Sequence, residues 1–479
     1  MAYLSIFLLF ALPATFGVSA LAAARLGKEK ITLLLAGTIV GLALLVTSTH
    51  LIMLLVPLSR SSLLVLLLAL TTSTAWLLTK TNARKHWQTR PLDRTALIVL
   101  LLMTGLFSLI APKLLFTQAG GLSTGIVSAY GDLGWHLANI TSLQDNSSFI
   151  PEDPIMAGEK LKYPPLANLF SAMLLTAGAS FVQSVVIPAL VLIPLTLTLL
   201  YCFTREFAGL RQAGIIALLL FLFGGATLGW LYLPDDWQAA GQPLSQFLAD
   251  PPRSYTGSTN ADNQLNLLNP IVTLLLPQRP FLFGMPLAFT VLLLLHKAKP
   301  RHRRPFIAAG LAAGLVPLFH AHTALALAPA IIALAAIKPS KQWLYFFAAA
   351  AIAGLPSLLY YRGVIDEPGT FLTYKLGWMS APDNWVVYWL KNSGFLLPAA
   401  LLGLMAPAPK AAKALAAAGL ILFAAANIWL FAVWEWDNTK IFAYWLLLTL
   451  PLSQLGMQFS RPMVQLGWQN VPCKIIISV

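Results

Sequence analysis

The sequence predicts an all-α protein, a polytopic transmembrane helix bundle of about 13 spans, with long outer-face loops and one short interfacial or re-entrant helix. Three observations predict it. The chain of 479 residues is 58% hydrophobic and only 10% charged, where a soluble domain carries about 25% charge. Its mean hydropathy is +0.75. The apolar residues run in stretches near the roughly 20 that a spanning helix needs, without the alternation of a barrel strand. Lys and Arg gather on one side of the implied membrane. This composition excludes water-soluble enzymes, disordered tails and coiled coils.

Taken in order, spans are expected at 2–24, 31–58, 61–79, 95–112, 183–203, 213–233, 281–296, 306–320, 322–337, 342–361, 395–409, 414–433 and 441–457. The first run lacks a basic leader and reads as a retained span, although Ala22 to Ala24 would also suit signal cleavage. The segment 163–180 opens on Tyr163-Pro164-Pro165 and is short. We read it as partly inserted, and that choice sets the parity of all that follows. The connections 25–30, 80–94, 204–212, 297–305, 338–341 and 410–413, with the C-terminal tail, then share one side. They carry 21 of the 31 Lys and Arg but three of the 17 acids, Glu29, Asp93 and Glu206. That side is +18 and the other −4, of the formal +14 in all. Cytoplasmic connections collect Lys and Arg, so the chain is expected in an inner or plasma membrane with its N-terminus outside and its C-terminus cytoplasmic. The large loops 113–162, 234–280 and 362–394 all fall outside, and long loops are commonly functional.

The basic balance calls for no nucleic acid, because no solvated domain exists to carry such a face. KPRHRRP (299–305) and PAPKAAK (407–413) read as membrane-flanking turns. Cys202 and Cys473 define neither a disulfide framework nor a metal site. No phosphate loop, dinucleotide fingerprint, nucleophile elbow or zinc-protease helix is present, which disfavours ATP-driven transport.

Ionisable groups at membrane depth cost roughly 2.5–3.5 kcal/mol each on insertion scales, so the retained ones mark candidate chemistry. The richest stretch is Tyr130-Gly131-Asp132-Leu133-Gly134-Trp135-His136-Leu137-Ala138-Asn139. On a helix Asp132 and His136, four apart, share a face, and Asp132 also suits an N-cap. Glu152 and Asp153, in a Pro- and Gly-rich turn, read as solvated loop acids. Gln278-Arg279-Pro280 places an Arg against the charge trend, suiting either an interfacial anchor or a bidentate anion clamp. His320 and His322 lie between two apolar runs. They would point apart on a helix and together in an extended turn, and no third local ligand accompanies them for a metal. Trp434-Glu435-Trp436-Asp437-Asn438-Thr439-Lys440 joins the last two spans. It reads as an aromatic anchor with a charge pair, or as a polar lining in which Asp437 and Lys440 face inward together.

On these residues the chain resembles the GT-C superfamily of integral membrane glycosyltransferases, which use sugars linked to a lipid phosphate. The resemblance rests on Gly131-Asp132-Leu133-Gly134-Trp135-His136 in the first large outer loop and on the Tyr-Pro-Pro-Leu turn at 163–166. That turn is similar to the His-Pro-Pro-Leu turn of protein-O-mannosyltransferase-like members. The Gln-Arg, HxH and Trp-Asp-Asn-Thr-Lys elements resemble features of uncharacterised bacterial members. It covers roughly 95–460 as the catalytic core, with 1–94 as additional N-terminal spans and 461–479 as a tail. The resemblance implies inverting transfer from a polyprenyl-phosphate-linked sugar to a glycan, lipid or protein acceptor on the extracytoplasmic face. Asp132 would be the general base or a ligand to a divalent metal, with His136 beside it. Tyr163, Gln278, Arg279, His320, His322, Asp437 and Lys440 would bind substrate. No adjacent second acid accompanies Asp132, so no metal motif is present and no cofactor is assigned.

Two other classes remain open. A transporter or flippase of a lipid-linked or polar solute would use the outer loops as a vestibule, but such proteins place ionisable groups on broken helices at the midplane. Here they cluster at outer span ends. An inactive assembly subunit is the third reading.

Overall fold

The computed structural model describes residues 2–24, 29–145, 148–257, 265–365, 372–380 and 384–468. It is 74% helical with almost no sheet. Among the described residues seven helices are long and apolar enough to cross a membrane: Ala2–Ala23, Lys30–Ile52, Arg60–Lys80, Arg94–Lys113, Phe181–Ala208, Trp343–Val364 and Lys410–Ile428. Shorter apolar helices follow at Leu166–Thr176, Arg211–Leu222, Phe281–Lys297, Ala321–Ile337 and Leu396–Met405. Two further helices, Arg303–Phe319 and Thr439–Trp468, complete the bundle. The tail residues 469–479, Cys473 among them, lie outside the described residues, while Cys202 is a buried free thiol.

The connections gather at two ends. At one end Arg205 pairs with Glu29 at 2.5 Å and with Asp93. Lys297 meets Glu206 at 3.0 Å, Arg304 donates to the Ala23 carbonyl at 3.4 Å, and Lys338 to the His296 carbonyl at 2.8 Å. These bonds tie together connections that the charge count assigned to a single side. At the other end His50 Nε2 lies 2.7 Å from the Phe149 carbonyl, Arg60 Nε donates to the Thr176 carbonyl at 3.0 Å, and Lys160 to the Gly363 carbonyl at 2.9 Å. Asn392 Oδ1 accepts from the Leu267 amide at 2.8 Å, so the second and third long loops meet there as well.

Three segments differ from the sequence expectation. The run 213–233 is not one helix. It stops at Leu222, and a 3-10 turn covers Thr227–Tyr232. Gly224-Gly225 breaks it, Gly225 taking the left-handed φ of 112° that only glycine adopts freely. The run 31–58 is helical only to Ile52, and 395–409 only over Leu396–Met405. The segment 163–180 holds an 11-residue helix, Leu166–Thr176, about 16 Å long. Its flanks both meet the second end, through Tyr360 Oη donating to the Tyr163 carbonyl at 3.1 Å and through Arg60 on Thr176.

The spans 1–94 pack into the rest of the bundle. Helix Lys30–Ile52 touches Leu166–Thr176, Phe181–Ala208 and Phe281–Lys297. Helices Ala2–Ala23 and Lys30–Ile52 pack most closely at Gly37-xxx-Gly41, a spacing that lets spanning backbones approach. A Cβ at Gly41 would collide with the Pro13 carbonyl oxygen. Gly41→Val is expected to cost about 3 kcal/mol through overpacking and to lower the thermal midpoint in detergent. An unchanged midpoint would show that the two helices separate freely.

Candidate functional site

Helix Tyr130–Asp145 buries Leu133, His136, Ile140 and Leu143, the one-sided stripe of an amphipathic helix. Because the helix starts at Tyr130, Asp132 is in its first turn and not an N-cap. Its carboxylate accepts from Gln278 Nε2 at 2.5 Å. His136, one turn on, is 1% exposed, and its Nδ1 donates to Asn168 Oδ1 at 3.1 Å. Burial, reinforced by the Arg279 charge, pushes the His136 imidazole down to about 3. It is therefore neutral at physiological pH and a poor proton acceptor. Burial shifts Asp132 the other way, raising its carboxyl above the ordinary value, while Lys440 and the Gln278 bond oppose that rise.

Tyr163 stands edge-on to Trp135, ring centroids 4.4 Å apart at 78°. Its backbone is held by Tyr360. Gln278 and Arg279 follow a π-helical turn, Ile271–Leu275, a deviation common beside functional sites. Arg279 is 2% exposed. Its guanidinium donates to Ser171 Oγ and to the Val185 carbonyl at 3.5 Å, and its Nε has no partner. Among the described residues no carboxylate forms an ion pair with it.

His320 is extended (φ −158°, ψ 105°) between helices Arg303–Phe319 and Ala321–Ile337. The kink brings the rings of His320 and His322 to 5.4 Å. His322 Nε2 is buried without a partner. Asp437 lies within a 3-10 turn, Glu435–Asn438, and pairs with Lys440 at 2.9 Å. Glu435 points instead to Lys375, on a strap whose Thr373–Tyr374 pairs with Trp429–Leu430.

These residues, far apart in sequence, act on one another. The Lys440 charge reaches Asp132, His136, His320 and His322. Asp437 reaches Asp132, Tyr163 and His322. Arg279 reaches His136 and Tyr163. All nine residues singled out in the sequence therefore fall in one neighbourhood at the end opposite the basic connections. Glu152 and Asp153 do not join it. They shape their own turn, accepting from the Gly158 and Ile155 amides.

Sequence reasoning missed Asn168, Ser171, Thr323 and Tyr444. The first two are polar groups three apart in an apolar 11-residue helix, which places them on one face. That spacing could have marked them. Tyr444 lies four residues after Lys440 and so on its face, a weaker signal. Among the described residues no three of His, Cys, Asp and Glu stand together as metal ligands.

The arrangement joins a half-buried carboxylate to a buried, uncompensated guanidinium, an ammonium and several unpartnered donors. It is suited to bind an anion on one side and accept a proton on the other. Comparison with protein families, with curated proteins and with solved structures finds no match for this chain.

Proposed function

We propose that the protein is an integral membrane glycosyltransferase that moves a sugar from a polyprenyl-phosphate donor to an acceptor hydroxyl on the extracytoplasmic face. The observation that carries this reading is Arg279, a buried guanidinium that has no counter-ion among the described residues. A charge left unpaired at such a site is costly, and a ligand phosphate would compensate it. Arg holds phosphate in a bidentate fork. His322 Nε2 and Asn168 Nδ2, also buried and unpartnered, add two positions for anion oxygens.

The reaction follows from the charges. The acceptor oxygen attacks the anomeric carbon as Asp132 takes its proton. The bond from that carbon to the phosphate oxygen breaks, and its electron pair leaves with the lipid phosphate. Arg279 and Lys440 stabilise the charge that builds there, in a site where fixed donors act strongly. Gln278 orients the base, and Tyr163 with Trp135 offers ring faces to the sugar.

In this reading the chain crosses the membrane about 13 times, Arg211–Leu222 and Leu396–Met405 doing so only together with the non-helical residues that flank them, and Leu166–Thr176 re-enters from the outer face without crossing. The +18 end is cytoplasmic. Cysteine substitution tests that orientation in a background lacking native cysteines: His302→Cys is labelled by an impermeant thiol reagent only from the cytoplasmic side and Ile155→Cys only from outside. The reverse pattern would invert the assignment.

The functional test is reconstitution into vesicles with a labelled polyprenyl-phosphate sugar. An enzyme cleaves the sugar–phosphate bond and passes the sugar to an acceptor or to water. Translocation of intact donor without cleavage would support a flippase instead.

A further inference from the structure

The hydrogen bonds around His320 give its ring a direction. His320 Nδ1 lies 2.7 Å from Thr323 Oγ1, and Thr323 Oγ1 is in turn bonded to Tyr444 Oη. His320 and Tyr444 are 4% and 3% exposed, and Thr323 is fully buried. Two proton orders fit three groups in a row. In one, Tyr444 donates to Thr323, Thr323 donates to His320 Nδ1, and the imidazole hydrogen is on Nε2. In the other, His320 Nδ1 donates to Thr323, Thr323 donates to Tyr444, and the Tyr444 hydrogen needs an acceptor. Among the described residues Tyr444 Oη has no other partner. The first order leaves only the Nε2 hydrogen without a protein partner, whereas the second leaves both the Tyr444 hydrogen and the Nε2 lone pair without one; each unpaired buried polar group is penalised, so the first order prevails.

The chain is closely built. A Cβ on Gly284 would lie 2.5 Å from Thr323 Oγ1 and 2.8 Å from His320 Cβ. Phe281, two residues after Arg279, covers His320 at 4.2 Å between ring centroids and stacks on Tyr444 at 6.0 Å and 15°. Tyr444 is one helical turn beyond Lys440, so its hydroxyl reports from the helix that carries the site's ammonium.

We infer that Thr323, engaged by the Tyr444 hydroxyl, is a positioning residue that fixes the tautomer of His320, so that its Nε2–H is a permanent hydrogen-bond donor for a bound oxyanion. The imidazole then donates without needing to be protonated. Among the described residues no protein group engages Nε2. The use of that donor on a lipid phosphate rests on the glycosyltransferase reading, whereas the tautomer itself does not.

Nitrogen NMR of the whole protein, 15N-labelled at histidine, tests the tautomer directly. The His320 signals are assigned by their loss in His320→Gln. The expected result is a pyridine-type Nδ1 and a pyrrole-type Nε2. Thr323→Val removes the donor to Nδ1, so the Nδ1 signal should move, whereas Tyr444→Phe leaves the Thr323 hydroxyl free to donate and should keep the pyridine-type Nδ1. Thr323→Ser should keep the native signature. A pyrrole-type Nδ1 in the native protein, or an unchanged Nδ1 signal in Thr323→Val, would overturn the inference. In the vesicle assay kcat should fall at least about tenfold in Thr323→Val, as a misdirected imidazole does elsewhere. KM should stay nearly constant and Thr323→Ser should recover. If no transfer is found for any form while the NMR pattern holds, the enzyme reading fails and the tautomer assignment stands.

Discussion

Asp132→Asn should abolish sugar transfer to within about 0.1% of the native rate and leave the protein folded. General base catalysis contributes about 10²–10⁴ in rate, and an amide cannot take the acceptor proton. The side chain keeps its size and can still meet Gln278, which now holds Asp132 at 2.5 Å. The native protein should show a matching pH dependence. A base works deprotonated, so kcat/KM rises with pH through the Asp132 pKa and then levels. Burial raises that pKa, placing the midpoint above the value near 3.9 of a free aspartate. In Asp132→Asn the acid limb should vanish. Retained transfer with the same acid limb would assign the base elsewhere.

The second large effect concerns Arg279. Arg279→Met should lower transfer by about 10²–10³, the loss seen when one donor to a developing oxyanion is removed. Arg279→Lys should restore only part of it, because an ammonium lacks the planar fork. Stability should move the other way. The guanidinium is 2% exposed with an unpartnered Nε, and an unpaired buried charge destabilises the ligand-free state. The Met variant should therefore melt at or above the native temperature without ligand. Polyprenyl phosphate should raise the melting temperature of the native protein and not that of the variant. A variant that melts well below native would mark Arg279 as a structural support.

The division of connections was legible because it depends on counting. Lys and Arg are few in a chain this apolar, so each one weighs on the side it occupies, and the ties from Arg205 to Glu29 and Asp93 fall within one end. The convergence of Asp132, Arg279, His320 and Lys440 was legible as chemistry left over in an apolar chain. What the sequence hid was local. Helix continuity over 213–233 looked secure by hydropathy, yet Gly224-Gly225 ends it because one backbone angle outweighs a run of apolar side chains. The partners of each polar group were hidden as well, since Asn168, Ser171, Thr323 and Tyr444 reach the site through tertiary packing. The extended His320 sits between helices that begin and end one residue away. No propensity scale resolves a one-residue break, though Pro317 and the two histidines hinted at one.

We propose that groups from the first long loop to the last helical hairpin together bind a lipid-linked phosphate. An experimental structure of the whole protein with polyprenyl phosphate tests it most directly. Phosphate density is expected between Arg279, His322 and Lys440, with Asp132 across the space where an acceptor would enter. Phosphate bound instead among the basic connections at the opposite end, with none at Arg279, would overturn it.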